Sequence, residues 1–286
     1  MSGQGSNRQI SFDFQLPRYV LDLSGSSRVR VCFVWERTPQ RDFFPLFDVA
    51  GTMVSSFQIK AAGTTDKGQV RVNNEDAFYI APSLDLFLVA DGMGGHAGGE
   101  VASTTIVEIV TAESDRVASW GDSARELLAL LERTDTAVRE KAVGELTNMG
   151  STVVALYLNE NRFWVAHAGD SRVYQLHNGF LNQLTVDHTP DNEFNKNSPA
   201  GVRSGMITRA VGVGNKTEFD ISEGSCQAND RFLLCSDGLT DAVTESHIYH
   251  ALQQSLPPLE IVTELITAAN VAGGPDNITA VVVDVL

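Results

Sequence analysis

Eight short apolar runs follow one another from Phe57 onward: FQIKAA, AFYI, LDLFLVA, STVVALYL, RFWVAHA, RVYQL, RFLLC and NITAVVVDV. Their β-branched and aromatic residues mark them as strands. Most are joined by only a few residues, as in STVVALYL-NENR-FWVAHAGDSRVYQL, which is too short for a parallel crossover and favours antiparallel meanders. Two longer segments with helical spacing, 99–112 and 122–142, interrupt the strands. The second is capped by Asp122 ahead of Ala124, Leu127, Leu128 and Leu131. A last helix opens at Pro257 and Pro258, runs through Ile261, Leu265 and Ile266, and stops before Gly273 and Gly274. This order predicts an α+β fold with a two-sheet antiparallel core flanked by helices. Tandem repeats, a G-x-x-x-x-G-K-[ST] loop and a strand-to-helix G-x-G-x-x-G turn are all missing, which disfavours the nucleotide folds that need them.

The chain changes character near Ser55. Residues 1–55 hold six Arg against five Asp plus Glu, a net of +1, so with a total of −15 the remainder carries −16. Within the first part, Arg28–Trp35 (RVRVCFVW) alternates as a strand does, and the expectation is an extension over 1–56 that packs against a main domain over 57–286, because so few residues rarely hold a core alone. The acidity of the main domain repels phosphate backbones and anionic lipid, so neither nucleic acid nor a membrane is expected as a partner. With no apolar stretch of about 18 residues and no leader-like start, the chain is expected to be cytoplasmic. Cys32, Cys226 and Cys235 form no C-x-x-C pair and read as reduced thiols.

Chemistry concentrates where acids end apolar strands, because a buried strand holds the residue beyond it rigidly at the domain edge. Asp91 follows LDLFLVA, Asp237 follows RFLLCS, and Asp276 stands in GGPDN before the final strand. A fourth acidic cluster is Asn73-Asn74-Glu75-Asp76. Adjacent glycines let the backbone turn and bring main-chain oxygens near an ion. Separated carboxylates plus a carbonyl suit hard divalent cations that keep several waters.

The motifs RVNNEDAF, VADGMGGHAGGE, MGSTVVA, VAHAGDSRVY, ITRAVG, CSDGLTD and GGPDNITAVVV, in this order over 57–286, resemble bacterial metal-dependent serine/threonine phosphatases of the type 2C class. The resemblance implies a β-sandwich of two antiparallel sheets with helices on both outer faces, four layers in all. It implies hydrolysis of phosphoserine and phosphothreonine in proteins, opposing a kinase, by a water or hydroxide bridging two Mn²⁺ or Mg²⁺ ions. By that resemblance Asp91 bridges the ions, the Gly92 carbonyl completes the second site, and Asp237 and Asp276 ligate the first. Glu75 and Asp76 then hold metal-bound waters, and Arg71 grips the phosphoryl oxygens as a planar fork.

Met93 stands where some eukaryotic relatives have a histidine proposed as general acid, which leaves a metal-bound water as the proton donor. His96 lies in a glycine-rich turn and His167 within a strand, and both read as structural or solvated. Asp170 of GDSR is assigned to structure, satisfying buried donors, and Ser236 and Asn277 to orienting Asp237 and Asp276. A third ion is disfavoured, because Glu145 and Asn148 stand where relatives place an acid. The stretch 187–207 replaces a longer flap without its usual acidic helix and reads as a loop. The competing reading is a catalytically weak relative that binds phosphoproteins, but such a member would usually have lost one of the aspartates and this chain keeps them all.

Overall fold

The computed structural model describes residues 18–21, 31–36, 57–94, 98–193 and 206–286. In chain order the strands among them are β1 (Arg18–Leu21), β2 (Val31–Glu36), β3 (Ile59–Asp66), β4 (Asp76–Ala81), β5 (Leu86–Met93), β6 (Gly150–Ser151) and β7 (Val153–Asn159). They continue with β8 (Arg162–Ala168), β9 (Arg172–His177), β10 (Phe180–Gln183), β11 (Asp220–Ser225), β12 (Arg231–Cys235) and β13 (Ile278–Val285). The helices are α1 (Gly98–Glu113), α2 (Ser123–Lys141), α3 (Pro190–Glu193), α4 (Asp237–Thr240), α5 (Glu245–Gln253) and α6 (Pro258–Val271).

Two antiparallel sheets result. One runs β1-β2-β3-β13-β12-β9-β10, and the other β11-β8-β7-β5-β4 with β6 paired to β5. β2 lies against β3 in the register Val31↔Thr65 to Glu36↔Lys60.

Alternation along each strand explains why the runs are apolar throughout: both faces are buried. On β5, Leu86, Leu88 and Ala90 pack with Ile106 of α1 and with Leu127 and Leu131 of α2. Phe87 and Val89 point the other way, onto Phe232 and Leu234 of β12 and Val281 and Val283 of β13. The opposite face of β13 sets Ala280 and Val282 against Ile248 of α5 and Ile261 and Leu265 of α6. The layers are therefore helix, sheet, sheet, helix, and the four-layer sandwich expected from the sequence is present.

Caps and turns follow the local code. The Asp122 side chain accepts from Arg125 N–H at the start of α2, and α6 opens on Pro258. The expected loop after Asp187 differs in its first residues, where Pro190–Glu193 forms one helical turn. Pro190 supplies a helix-compatible φ without needing a donor, which accounts for that turn. The rest of that stretch, 194–205, and His96 lie outside the described residues.

Beyond it, the segment 206–217 is tied to α2 by one buried acid. Asp135, 1% exposed, accepts from Gly212 N–H at 2.9 Å, Thr217 N–H at 3.2 Å and Thr217 Oγ1 at 2.8 Å, and pairs with Arg139 at 2.6 Å. Asp135→Ala strands these donors and the guanidinium, so unfolding by urea is expected to show a loss of about 3 kcal/mol. A loss under 1 kcal/mol would mean that the segment is held by other contacts.

Candidate active site

Strand geometry brings the predicted acids together. β4 begins at Asp76, whose cross-strand partner on β5 is Asp91. Gly92 N–H donates to the Glu75 carbonyl at 3.1 Å, closing the end of that pair. Asp237 is the first residue of α4, directly beyond β12, and Asp276 lies in the turn between α6 and β13. Arg71, on the loop between β3 and β4, donates to Asp276 Oδ2 at 2.6 Å. A cleft of about 480 Å³ is lined by Arg71, Glu75, Asp91, Gly92, Asp237 and Asp276. Asp76 lies behind it, 9% exposed.

Two glycines make this convergence sterically possible. A Cβ at Gly92 would strike the Gly99 and Glu75 carbonyls, and one at Gly238 would strike the Asn277 carbonyl behind Asp276. Both positions bring separate backbones into direct contact.

The carboxylates are held in a state that calls for a cation. Asp76 Oδ2 accepts from Ser236 Oγ at 2.8 Å and Thr279 Oγ1 at 2.6 Å, but its buried Oδ1 has no partner. Buried Asp237 Oδ1 also lacks one. Asp91 and Asp237 face each other within hydrogen-bonding range, an arrangement two carboxylates reach only by sharing a proton or a positive ion. Burial pushes the Asp76 carboxyl up to about 7 despite its two hydroxyl donors. Burial, and then the charges of Asp76 and Asp237, push Asp91 well above the usual carboxylate range. Orphaned acceptors and acids driven toward protonation are what an oxygen site for divalent cations leaves behind when no ion is counted, so the residues present fit such ions.

Among the described residues, a tight group of potential ligands lies elsewhere. His167, His188 and Asp220 bring ligand atoms within 4.8 Å of one another. His188 Nδ1 accepts from Gly169 N–H at 3.1 Å, which places the proton of the neutral ring on Nε2, facing Asp220 at 3.2 Å. His167 Nε2 spends its proton on the Val186 carbonyl at 3.0 Å, and the two rings stack with 15° between their planes. With its acceptor nitrogen occupied, His188 offers no lone pair to a metal, and nearly parallel rings do not aim at one point. The trio reads as a packed polar cluster.

Sequence reasoning assigned Asp170 to structure and did not place it at the cleft. Arg172 of the same GDSR motif forks onto Asp187, with contacts of 2.7 to 3.1 Å, and leaves Asp170 on the cleft wall. Burial, and then the charge of Asp237, push Asp170 up to about 7. The missed signal was the one used for Asp91: an acid just past an apolar strand, preceded by a glycine, Gly169, at φ +109°. One supporting residue acts on another target than expected, and Asn277, whose N–H donates to Asp276 Oδ1 at 2.7 Å as expected, has further targets besides. Ser236 holds Asp76, while the Asn277 side chain accepts from Glu75 N–H at 2.8 Å and donates to the Lys67 and Asn73 carbonyls. Glu145 and Asn148 are exposed and do not line the cleft.

The protein phosphatase 2C family matches residues 66–271. The chain belongs to that family. It is 38% identical over 238 residues to the serine/threonine protein phosphatase PstP of Mycobacterium tuberculosis, covering 80% of this chain and 45% of that one. The chain thus spans about half the length of that curated relative. It is 35% identical over 241 residues to the serine/threonine phosphatase stp of Listeria monocytogenes, covering 77% of this chain and 93% of that one. Among solved structures, the catalytic domain of PstP in complex with two manganese ions superposes with a TM-score of 0.71 at 36% identity, over 81% of this chain and all of that one. PppA of Pseudomonas aeruginosa gives 0.72 at 35% identity, over 80% and 98% of the two chains.

Proposed function

We propose that this chain hydrolyses phosphoserine and phosphothreonine monoesters in proteins with two Mn²⁺ or Mg²⁺ ions, acting in the cytoplasm against a serine/threonine kinase. The observation that carries the reading is the set of partnerless or proton-sharing carboxylate oxygens at the cleft, and the similar catalytic domain of PstP is known in complex with two manganese ions. Asp91, Asp237 and Asp276 and the Gly92 carbonyl would hold the ions, Asp91 between them, and Glu75 and Asp76 would hold their waters. When bound, divalent cations acidify a coordinated water and offset phosphoryl charge.

The chain's own residues do the rest. Arg71, 54% exposed, is free to turn from Asp276 toward a phosphoryl group and hold two of its oxygens. Ser236 and Thr279 fix Asp76, and Asn277 fixes the Glu75 backbone. Met93 gives the leaving oxygen no proton. Protein substrates are favoured over nucleic acid because of the charge of −15. Among the described residues, no helix is long and apolar enough to cross a membrane. The β2–β3 pairing supports reading residues 1–56 as an extension packed on the main domain.

The test is hydrolysis of a phosphothreonine peptide in Mn²⁺ or Mg²⁺, lost on chelation and restored by adding the ion back. Arg71→Ala is expected to raise KM about 10- to 100-fold, the worth of a charge-assisted contact to phosphate. Hydrolysis that persists in chelator would refute the metal-dependent reading.

A further inference from the structure

Among the polar residues that line the acidic cleft stand several apolar side chains. Val72 lines the cleft and is 85% exposed, and Met93 and Ile207 line it too. Beside Ile207 stands Met206, 55% exposed. Val213, 45% exposed, continues the patch, since its side chain and the end of Met93 both lie over Gly150. These residues come from three separate parts of the chain, the β3–β4 loop, the end of β5 and the segment after α3. Scattered single apolar residues on a surface are ordinary, but three that line one acidic cleft, with Met206 and Val213 next to two of them, need a reason on a molecule with 36 acids and 21 bases.

We propose that the apolar part of the cleft's rim selects phosphoproteins in which the phosphorylated residue is flanked by aliphatic or aromatic side chains. The inference rests on the phosphatase reading and names the substrate class of the same site. Arg71 and Val72 are consecutive and both line the cleft, so a side chain next to the phosphorylated residue lies within reach of Val72. With Arg71 on the phosphoryl group, Val72 meets the neighbouring side chain. Met206 and Ile207 offer a second apolar contact from elsewhere on the rim. An acidic neighbour finds none of this: Arg71 is committed to phosphate, and the net charge of −15 repels it.

The experiment compares three phosphothreonine peptides, flanked on both sides by leucine, by serine or by glutamate, at saturating Mn²⁺. Partial burial of a leucine side chain is expected to favour the first over the second by about five-fold in kcat/KM, expressed in KM, with the glutamate peptide poorest. Val72→Ser and Ile207→Ser each remove one apolar contact at exposed or half-buried positions and are expected to bring the leucine-to-serine ratio to about two or below. Equal kcat/KM for leucine and serine peptides in the wild type overturns the inference while leaving the phosphatase reading intact. A ratio kept in both variants overturns the assignment to this rim. Failure of the wild type to cleave any of the three overturns the phosphatase reading itself.

Discussion

Asp91→Asn lowers kcat on a phosphothreonine peptide by at least about 10³-fold, the several kcal/mol of transition-state stabilisation that a bound cation pair supplies. Asparagine keeps the volume and removes the charge, so loss of activity is not loss of packing. Asp91 is the right place for the largest effect because it is the cross-strand partner of Asp76 and shares a contact with Asp237. The same substitution has an opposite effect on stability. With the cation chelated, Asp91 is crowded by like charges, and asparagine relieves them, so the variant is expected to melt higher than the wild type in chelator and to gain less from Mn²⁺. Calorimetric titration with Mn²⁺ separates the two roles: a variant that binds two ions as tightly as the wild type, or keeps activity within ten-fold, sinks the bridging assignment.

What the sequence disclosed depended on burial. Strands covered on both faces, such as β5, β7 and β13, are continuous apolar runs and were legible without a partner in view. β11, with the sequence DISEGS, was not, because it is an edge strand with nearly every side chain in solvent, held by its ladder to β8. Its strand character comes from that neighbour and not from its own residues. α5 escaped for a related reason: only Ile248, Ala251 and Leu252 of its nine residues are buried, too few to set a period. The Asp91, Asp237 and Asp276 positions were visible as acids ending strands, but the pairing of Asp76 with Asp91 depends on register, which spacing along one chain does not reveal. The place of Asp170 at the cleft was not legible either, because it depends on Arg172 forking onto Asp187, which is a tertiary fact.

Stability in chelator should fall as pH rises from 5 to 8. An unfolded aspartate titrates near 3.9. Asp76 and Asp170, which burial holds near 7, keep their protons in the folded chain over the interval in which the unfolded chain has lost them. The folded state therefore binds more protons, and stability present at pH 5 is lost as pH climbs through 7. A single site of this kind would cost about 3 kcal/mol over that range, or about 6–12 °C in Tm for a domain of this size. Groups of opposite sign are fewer or act elsewhere. Asp220 and Glu193 are held below the usual range against burial, Asp220 by Arg209 and Glu193 by the Thr208 hydroxyl and Arg209, so their contributions change at more acid pH. Burial lowers His167, which adds stability as pH rises to about 6.5, but it is one group against several. Cations replace protons on the same oxygens, so Mn²⁺ or Mg²⁺ should raise Tm more at pH 8 than at pH 5 and flatten the profile. Asp76→Asn should flatten it without any ion. A profile in chelator that is level from pH 5 to 8, or an ion effect no larger at pH 8, would mean that these carboxylates are already charged and paired in the folded chain, and the case for them as a cation site would lose its electrostatic basis.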